Sequence, residues 1–233
     1  MKTTMSENEG VEEQKEMTIK RLIAGDILQS PSVIRAIRVV PREEFLPGHL
    51  RRHAYVDTPL PIGHSQTISA IHMVSMMDEY LELEVGHRVL EIGAGCGYHA
   101  CTVAEIVAPS EADQKKWGHV YTIEVIPELA DLAQNNIQKT GYANRVTVVC
   151  GDGSLGLPSE APFDRILVTA AAPDVPTPLV DQLKLDGVLI IPVGGLYYFQ
   201  SLLKITKHAK GKIEREVLCS VAFVPLVGKL GFK

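Results

Sequence analysis

The chain has 233 residues and a net charge of −5, with 45% hydrophobic and 22% charged residues. That length and apolar content suit one α/β domain with a substantial core, and the acidic balance, with no long basic stripe and only a weak signal at Arg51-Arg52, argues against a nucleic-acid partner. There is no run of about 18 apolar residues to span a membrane and no apolar leader segment, and Cys96, Cys101, Cys150 and Cys219 match neither a zinc site nor a redox pair, so reduced thiols in a cytoplasmic protein are expected.

Residues 1–17 are polar and rich in glutamate and read as a mobile tail or a frayed helix start. A first helix is expected from Glu16 to Ala24, and Ser30-Pro31 is a start signal for a second, running to about Val39. The stretch Pro59–Ser65 reads as a loop. The polar run Gln66-Thr67-Ile68-Ser69 then precedes a helix that carries Met73, Val74, Met76 and Met77. Thr67 or Ser69 could serve simply as its N-cap.

Arg88 to Ile92 is an apolar, β-branched run after a turn signal at Gly86 and reads as a buried strand. Gly93, Gly95 and Gly97 follow, and Tyr98 to Val107 reads as a helix. Strand, glycine turn and helix form the first unit of a doubly wound fold, whose ligands sit at the carboxyl ends of the strands. The spacing is G-x-G-x-G, not the G-x-G-x-x-G of dinucleotide binders. Glu91, two positions before the first glycine, suits a cationic ligand better than a pyrophosphate. The run Glu91-Ile92-Gly93-Ala94-Gly95-Cys96-Gly97 therefore resembles the S-adenosylmethionine (SAM) loop of class I methyltransferases. A tight strand–helix turn in another Rossmann-like protein is the alternative.

After the polar insertion Pro109–Trp117, a second strand (His119–Ile123) ends in Glu124, placed to accept hydrogen bonds from ribose hydroxyls or else to begin the helix opened by Pro127. A third strand, Arg145–Cys150, ends in Gly151-Asp152-Gly153. Methyltransferases of this class set an acidic residue here against the adenine amino group, which would be Asp152; a plain turn is the alternative. Further strands are expected at Asp164–Val168 and Val188–Ile191, with a helix over Pro176–Leu183 between them. Phe199–Thr206 and Val217–Val224 read as the last two strands, joined by a basic turn at His208–Lys212. The expectation is a mostly parallel, doubly wound, seven-stranded Rossmann-like sheet with an N-terminal helical cap. In a single domain spanning 1–233, residues 18–80 hold the cap and active-site segment, 81–195 the SAM-binding core and 196–233 the C-terminal strands.

One family accounts for the rest. Leu60-Pro61-Ile62-Gly63, then Gln66-Thr67-Ile68-Ser69, His72-Met73 and the glycine loop about twenty residues later resemble the protein-L-isoaspartate O-methyltransferases. Val40-Pro41-Arg42-Glu43-Glu44-Phe45, Thr169-Ala170-Ala171-Ala172-Pro173, Pro192-Val193-Gly194 and Phe223-Val224-Pro225-Leu226 follow in family order, so the resemblance spans about Leu22 to Val227. Ser65 stands where many members have glycine and Ile71 where many have proline.

The resemblance implies methyl transfer from SAM, with S-adenosylhomocysteine as product and no metal, to the free α-carboxylate of L-isoaspartyl residues in damaged proteins and peptides. Such a carboxylate is ionised at pH 7, so positioning, not proton removal, is the task. Ser69, supported by Thr67, is expected beside the reacting carboxylate. Gln66, Ile68, His72, Glu91, Gly93, Ala94, Gly95, Gly97, Glu124, Asp152 and Gly153, with Thr67 and Ser69, are the expected cofactor residues, although His72 could equally be a packed side chain. Ile62, Ala170, Ala171, Pro192, Val193, Val224, Pro225 and Leu226 are expected on the peptide side, and a monomer is the default. A SAM-dependent methyltransferase of RNA or a small molecule, and a non-catalytic SAM- or nucleotide-binding module, are the competing readings.

Overall fold

The computed structural model describes residues 7–196 and 199–233. The first element is α1 (Glu7–Ala24), so the chain is helical well before Glu16. Of the expected tail, residues 1–6 lie outside the described residues. Residues 7–17 form the start of the helix, the second of the two readings, and the helix is docked: Ile19 and Leu22 are buried, Thr18 Oγ1 donates to the Tyr55 carbonyl at 2.9 Å, and Glu16 takes a two-point hydrogen bond from Arg38. Arg38 belongs to α2 (Pro31–Val39), which starts on Pro31 as expected and buries Val33, Ala36 and Ile37, the i, i+3, i+4 stripe of an amphipathic helix.

The expected loop at Pro59–Ser65 is instead half of a hairpin. Strands β1 (Leu60–Gly63) and β2 (Gln66–Ile68) pair antiparallel around His64-Ser65, both at positive φ (51° and 58°). That backbone suits the twist of a two-residue hairpin turn. The chain then enters α3 (Ile71–Tyr80), whose N-cap is Ala70 and not Thr67 or Ser69. Ile71, at the position where proline is common, is fully buried.

Next come β3 (Arg88–Ile92), α4 (Tyr98–Val107), β4 (His119–Glu124), α5 (Pro127–Lys139), β5 (Val146–Cys150), β6 (Phe163–Val168), the short α6 (Thr177–Asp181), β7 (Leu183–Gly194), β8 (Gln200–Lys207) and β9 (Ile213–Val221). They form a seven-stranded sheet in the order β5-β4-β3-β6-β7-β8-β9. The pairs from β5 to β7 are parallel; β7–β8 and β8–β9 are antiparallel. Four differences from the sequence reading concern extents. The sixth helix is shorter, β7 starts five residues earlier than Val188, β9 starts at Ile213, and β9 stops at Val221, so Val224 to Leu226 lie beyond the sheet.

The buried strands alternate faces with period two. Val89, Val120, Leu167, Val188 and Ile190 join the larger core cluster, together with α4 and the N-terminal helices. Leu90, Ile92, Ile123, Ile166, Val168 and Leu189 join the smaller one on the other face. The first strand of the sheet, β3, lies between β4 and β6, so the chain reverses its winding direction there. Ile92 pairs with both Ile123 and Val168, which brings Gly93, Glu124 and Thr169 to one edge of the sheet.

Candidate active site

A cleft of about 310 Å³ crosses that edge. Gly93 (φ 98°) turns the chain so tightly that a Cβ there would lie 2.4 Å from Thr169 Oγ1. Thr169 Oγ1 in turn bonds the Ile92 and Gly93 carbonyls at 3.0 and 2.8 Å. Across the turn, Glu124 Oε2 accepts the Gly95 N–H at 2.8 Å and Oε1 accepts the Ile126 N–H at 3.1 Å. One carboxylate thus ties the glycine turn to the end of the neighbouring strand while lining the cleft, and each oxygen keeps a lone pair for a ligand. Gly153 closes the same wall, and an added Cβ there would come 2.4 Å from the Ile92 side chain.

Gln66, Thr67, Ala170, Val224, Pro225 and Leu226 also line this cleft. The small residues let the C-terminal segment approach: Ala171 N–H donates to the Val224 carbonyl at 2.8 Å, and Leu226 N–H to the Ala171 carbonyl at 2.7 Å. A recess behind the loop takes in Ile68, Ser69 and Ala94. On the outer side of Ser69 a groove of about 700 Å³ is lined by His72, Met73, Phe199, Val221 and Val224 among others. Thr67 and Thr169 border all three spaces.

The Gln66–Ser69 segment is held from outside the sheet. Arg42 is completely buried, donates from Nε to the Ala54 carbonyl and from Nη2 to the Ser69 carbonyl, both at 2.7 Å, and stacks 4.9 Å from the centre of the Tyr98 ring. Asp57 Oδ1 takes both the His72 backbone N–H and ring Nδ1, at 2.9 Å each, so it caps α3 and fixes the ring together. Ser69 Oγ makes no hydrogen bond among the described residues and stays available to a ligand.

Several expected residues stand elsewhere. Glu91 is fully buried in the sheet; Thr122 Oγ1 donates to its Oε2 at 2.5 Å, its Oε1 has no partner among the described residues, and burial pushes its pKa up to about 7. It does not line the cleft. Asp152 turns away as well. Its Oδ1 caps Ser154 through N–H and Oγ, and its Oδ2 takes the Lys229 N–H at 2.8 Å, so it anchors the C-terminal segment. Gly97 begins α4 at φ 88° and packs on Ile137. Ile62 rests against the glycine turn at Gly95 and not in the outer groove. Pro192 and Val193 hold Ala172 by backbone pairing behind the wall, and Ala171 is buried. His72 lies in the outer groove with Ser69 instead of in the main cleft. Arg42, Asp57 and Thr169 were not singled out by sequence; Arg42 and Thr169 lie inside segments quoted only for their resemblance.

A parallel sheet wound outward from β3, a glycine turn at its end, an acidic side chain at the next strand end and a cleft across both define a class I SAM-dependent methyltransferase. The model of the family Protein-L-isoaspartate(D-aspartate) O-methyltransferase (PCMT) matches residues 13–231. A protein-L-isoaspartate O-methyltransferase of Hyperthermus butylicus is 54% identical over 97% of this chain and 94% of its own length. One from Methanopyrus kandleri is 52% identical over 94% of this chain and 93% of its own. Among solved structures, a Plasmodium falciparum protein-L-isoaspartate O-methyltransferase in complex with S-adenosylhomocysteine superposes with a TM-score of 0.78 at 27% identity, covering 91% of this chain and 98% of that one. The chain belongs to the protein-L-isoaspartate O-methyltransferase family.

Proposed function

We propose that the cleft carries SAM along the Gly93–Gly95 turn, Glu124 and Gly153, and that Ser69 meets the free carboxylate of an isoaspartyl residue entering from the outer groove. The chain is a SAM-dependent carboxyl methyltransferase that acts on L-isoaspartyl residues of proteins and peptides. The observation that carries the site assignment is the shared wall: Thr67 and Thr169 border the main cleft and the outer groove alike, with Ser69 facing the groove.

The residues fit the cofactor. A cradle that side chains at positions 93 and 153 would obstruct leaves backbone against the ligand, and a buried carboxylate at a strand end suits ribose hydroxyls. When bound, SAM supplies an electrophilic methyl on a sulfonium. The unbonded Ser69 hydroxyl donates to one carboxylate oxygen and fixes the direction of the other. Arg42 and Asp57 hold the segment and the helix behind it, so orientation is set before substrate arrives. No base is needed, because the acceptor is already ionised. Met73, Phe199 and Val224 give the acceptor groove apolar walls. The methyl ester then loses methanol to attack by the next backbone nitrogen, and the succinimide opens in water, partly to aspartate.

Among the described residues that line the outer groove, His72 is the only one that can carry a positive charge, which favours a peptide over RNA as acceptor. Among the described residues no helix is long and apolar enough to cross a membrane, and no group of three or more His, Cys, Asp or Glu is placed to hold a metal. The proposal extends to a cytoplasmic monomer that does not engage nucleic acid, with residues 18–80 as acceptor-side cap, 81–195 as cofactor core and 196–233 as the closing segment.

The test uses two peptides differing only in L-isoaspartate or L-aspartate, incubated with methyl-labelled SAM. Base-labile label on the isoaspartyl peptide alone is expected. Equal labelling of both, or none with SAM still bound, would overturn the acceptor assignment.

A further inference from the structure

The recess behind the glycine turn, about 40 Å³, adjoins the main cleft and shares Thr67, Gly93, Gly95 and Thr169 with it as walls. The two spaces differ in charge. Glu124 lines the main cleft and not the recess; His99, on the first turn of α4, lines the recess and not the main cleft. His99 is only 7% exposed, and its Nε2 lies 3.0 Å from Oδ1 of Asp78, itself 1% exposed on α3. An ionised carboxylate only accepts, so Nε2 carries a hydrogen. The other ring nitrogen, Nδ1, has no hydrogen-bond partner among the described residues. Tyr98, which shares the recess, has a buried hydroxyl without a hydrogen-bond partner among the described residues.

The surroundings favour the charged ring. Burial is the largest influence and works against charge, and Arg42 opposes it too. The Asp78 carboxylate and its hydrogen bond, with Glu91 behind, nevertheless carry the His99 pKa above its ordinary value. Burial also raises the Asp78 pKa. A charged ring in the recess, held by Asp78, and a carboxylate in the adjoining main cleft match a ligand that carries an anion on one part and hydroxyls on another.

We infer that His99 binds the α-carboxylate of the methionine tail of SAM, with Asp78 as the positioning residue that orients the ring. The inference rests on the reading of the main cleft as the cofactor site. Asp78 fixes which ring nitrogen bears hydrogen toward α3, leaving Nδ1–H of the charged ring for the ligand.

The test compares binding of SAM with that of decarboxylated SAM, which lacks only the α-carboxylate, by calorimetry at pH 7. The proteins are the full chain, His99→Gln and Asp78→Asn, each checked by thermal melting. The parent chain should prefer SAM by about tenfold, the scale of one charge-assisted hydrogen bond. His99→Gln should lose that preference by weakening SAM alone, leaving decarboxylated SAM unchanged. Asp78→Asn should lose part of the preference in the same pattern, and it carries the test if His99→Gln does not fold. Equal weakening of both ligands, or an undiminished preference in the variants, would overturn the inference. A parent chain that binds neither ligand would instead sink the cofactor reading of the cleft, and the inference with it.

Discussion

On the cofactor side of the cleft, Gly93, Glu124 and Gly153 lie at or just past the ends of three adjacent parallel strands, and most of the shape is made by backbone. On the acceptor side, Thr67 and Ser69 belong to a hairpin and its exit, outside the large sheet. Arg42 from earlier in the chain holds the Ser69 carbonyl, Asp57 holds His72 at the start of the helix that follows, and Val224 from much later in the chain lines the same groove. A wall made of backbone is sensitive to added atoms and indifferent to most side-chain chemistry. One made of side chains on a propped loop is sensitive to lost hydrogen bonds. Ligand affinity and turnover should therefore separate by side.

Gly93→Ala tests the cofactor wall most severely. The new Cβ meets Thr169 Oγ1 at 2.4 Å on a backbone of φ 98°, so affinity for S-adenosylhomocysteine should fall by at least about a hundredfold and turnover with it. Normal binding by this variant would break the distinction. Ser69→Ala probes the other wall: turnover on an isoaspartyl peptide should drop about a hundredfold, the scale of losing one well-placed donor, while affinity for S-adenosylhomocysteine stays within about threefold. Loss of affinity in step with turnover would move Ser69 to the cofactor side.

Arg42→Lys keeps a charge but not the planar fork that reaches the Ala54 and Ser69 carbonyls together. Its kcat should fall about tenfold and its Tm by several degrees, with S-adenosylhomocysteine binding retained. If only the Tm moves, Arg42 supports the fold without shaping the site. The mildest change is Ser65→Gly. Ser65 sits at φ 58°, a conformation disfavoured for a side-chain-bearing residue by about 1 kcal/mol. Relief should raise the Tm by roughly 2–4 °C with kcat unaltered; a lower Tm would mean that the hairpin draws stability from the Ser65 side chain.

The same division explains what could be read from sequence. Strands β3 to β6 are short apolar runs bounded by Gly, Pro and acidic residues, and parallel winding carries their ends to one edge. Gly93, Glu124 and Gly153 were therefore legible as a set. A three-residue strand such as Gln66–Ile68 has no periodicity to read, and a turn of His64-Ser65 carries none of the glycine or asparagine that marks positive φ. The partners of Arg42 and Asp57 are set by tertiary packing, as is the turning of Asp152 toward Lys229 instead of the cleft. Glutamate-rich α1 lacked a clear apolar stripe, and its docking depends on Tyr55 and Arg38, which are distant in sequence.

The link from Asp152 to Lys229 also bears on the order in which the chain is synthesised. Gly228 passes so close to Asp152 that a Cβ there would fall 2.1 Å from Oδ1, and the Leu230 N–H donates to Ser154 Oγ at 3.0 Å. The ribosome completes the glycine turn and the strands beside it long before it reaches these residues. A growing chain can thus form its cofactor wall early, while the wall contributed by Val224 to Val227 is absent until those later residues leave the exit tunnel. A nascent copy that has not yet released those residues has no complete groove for a substrate.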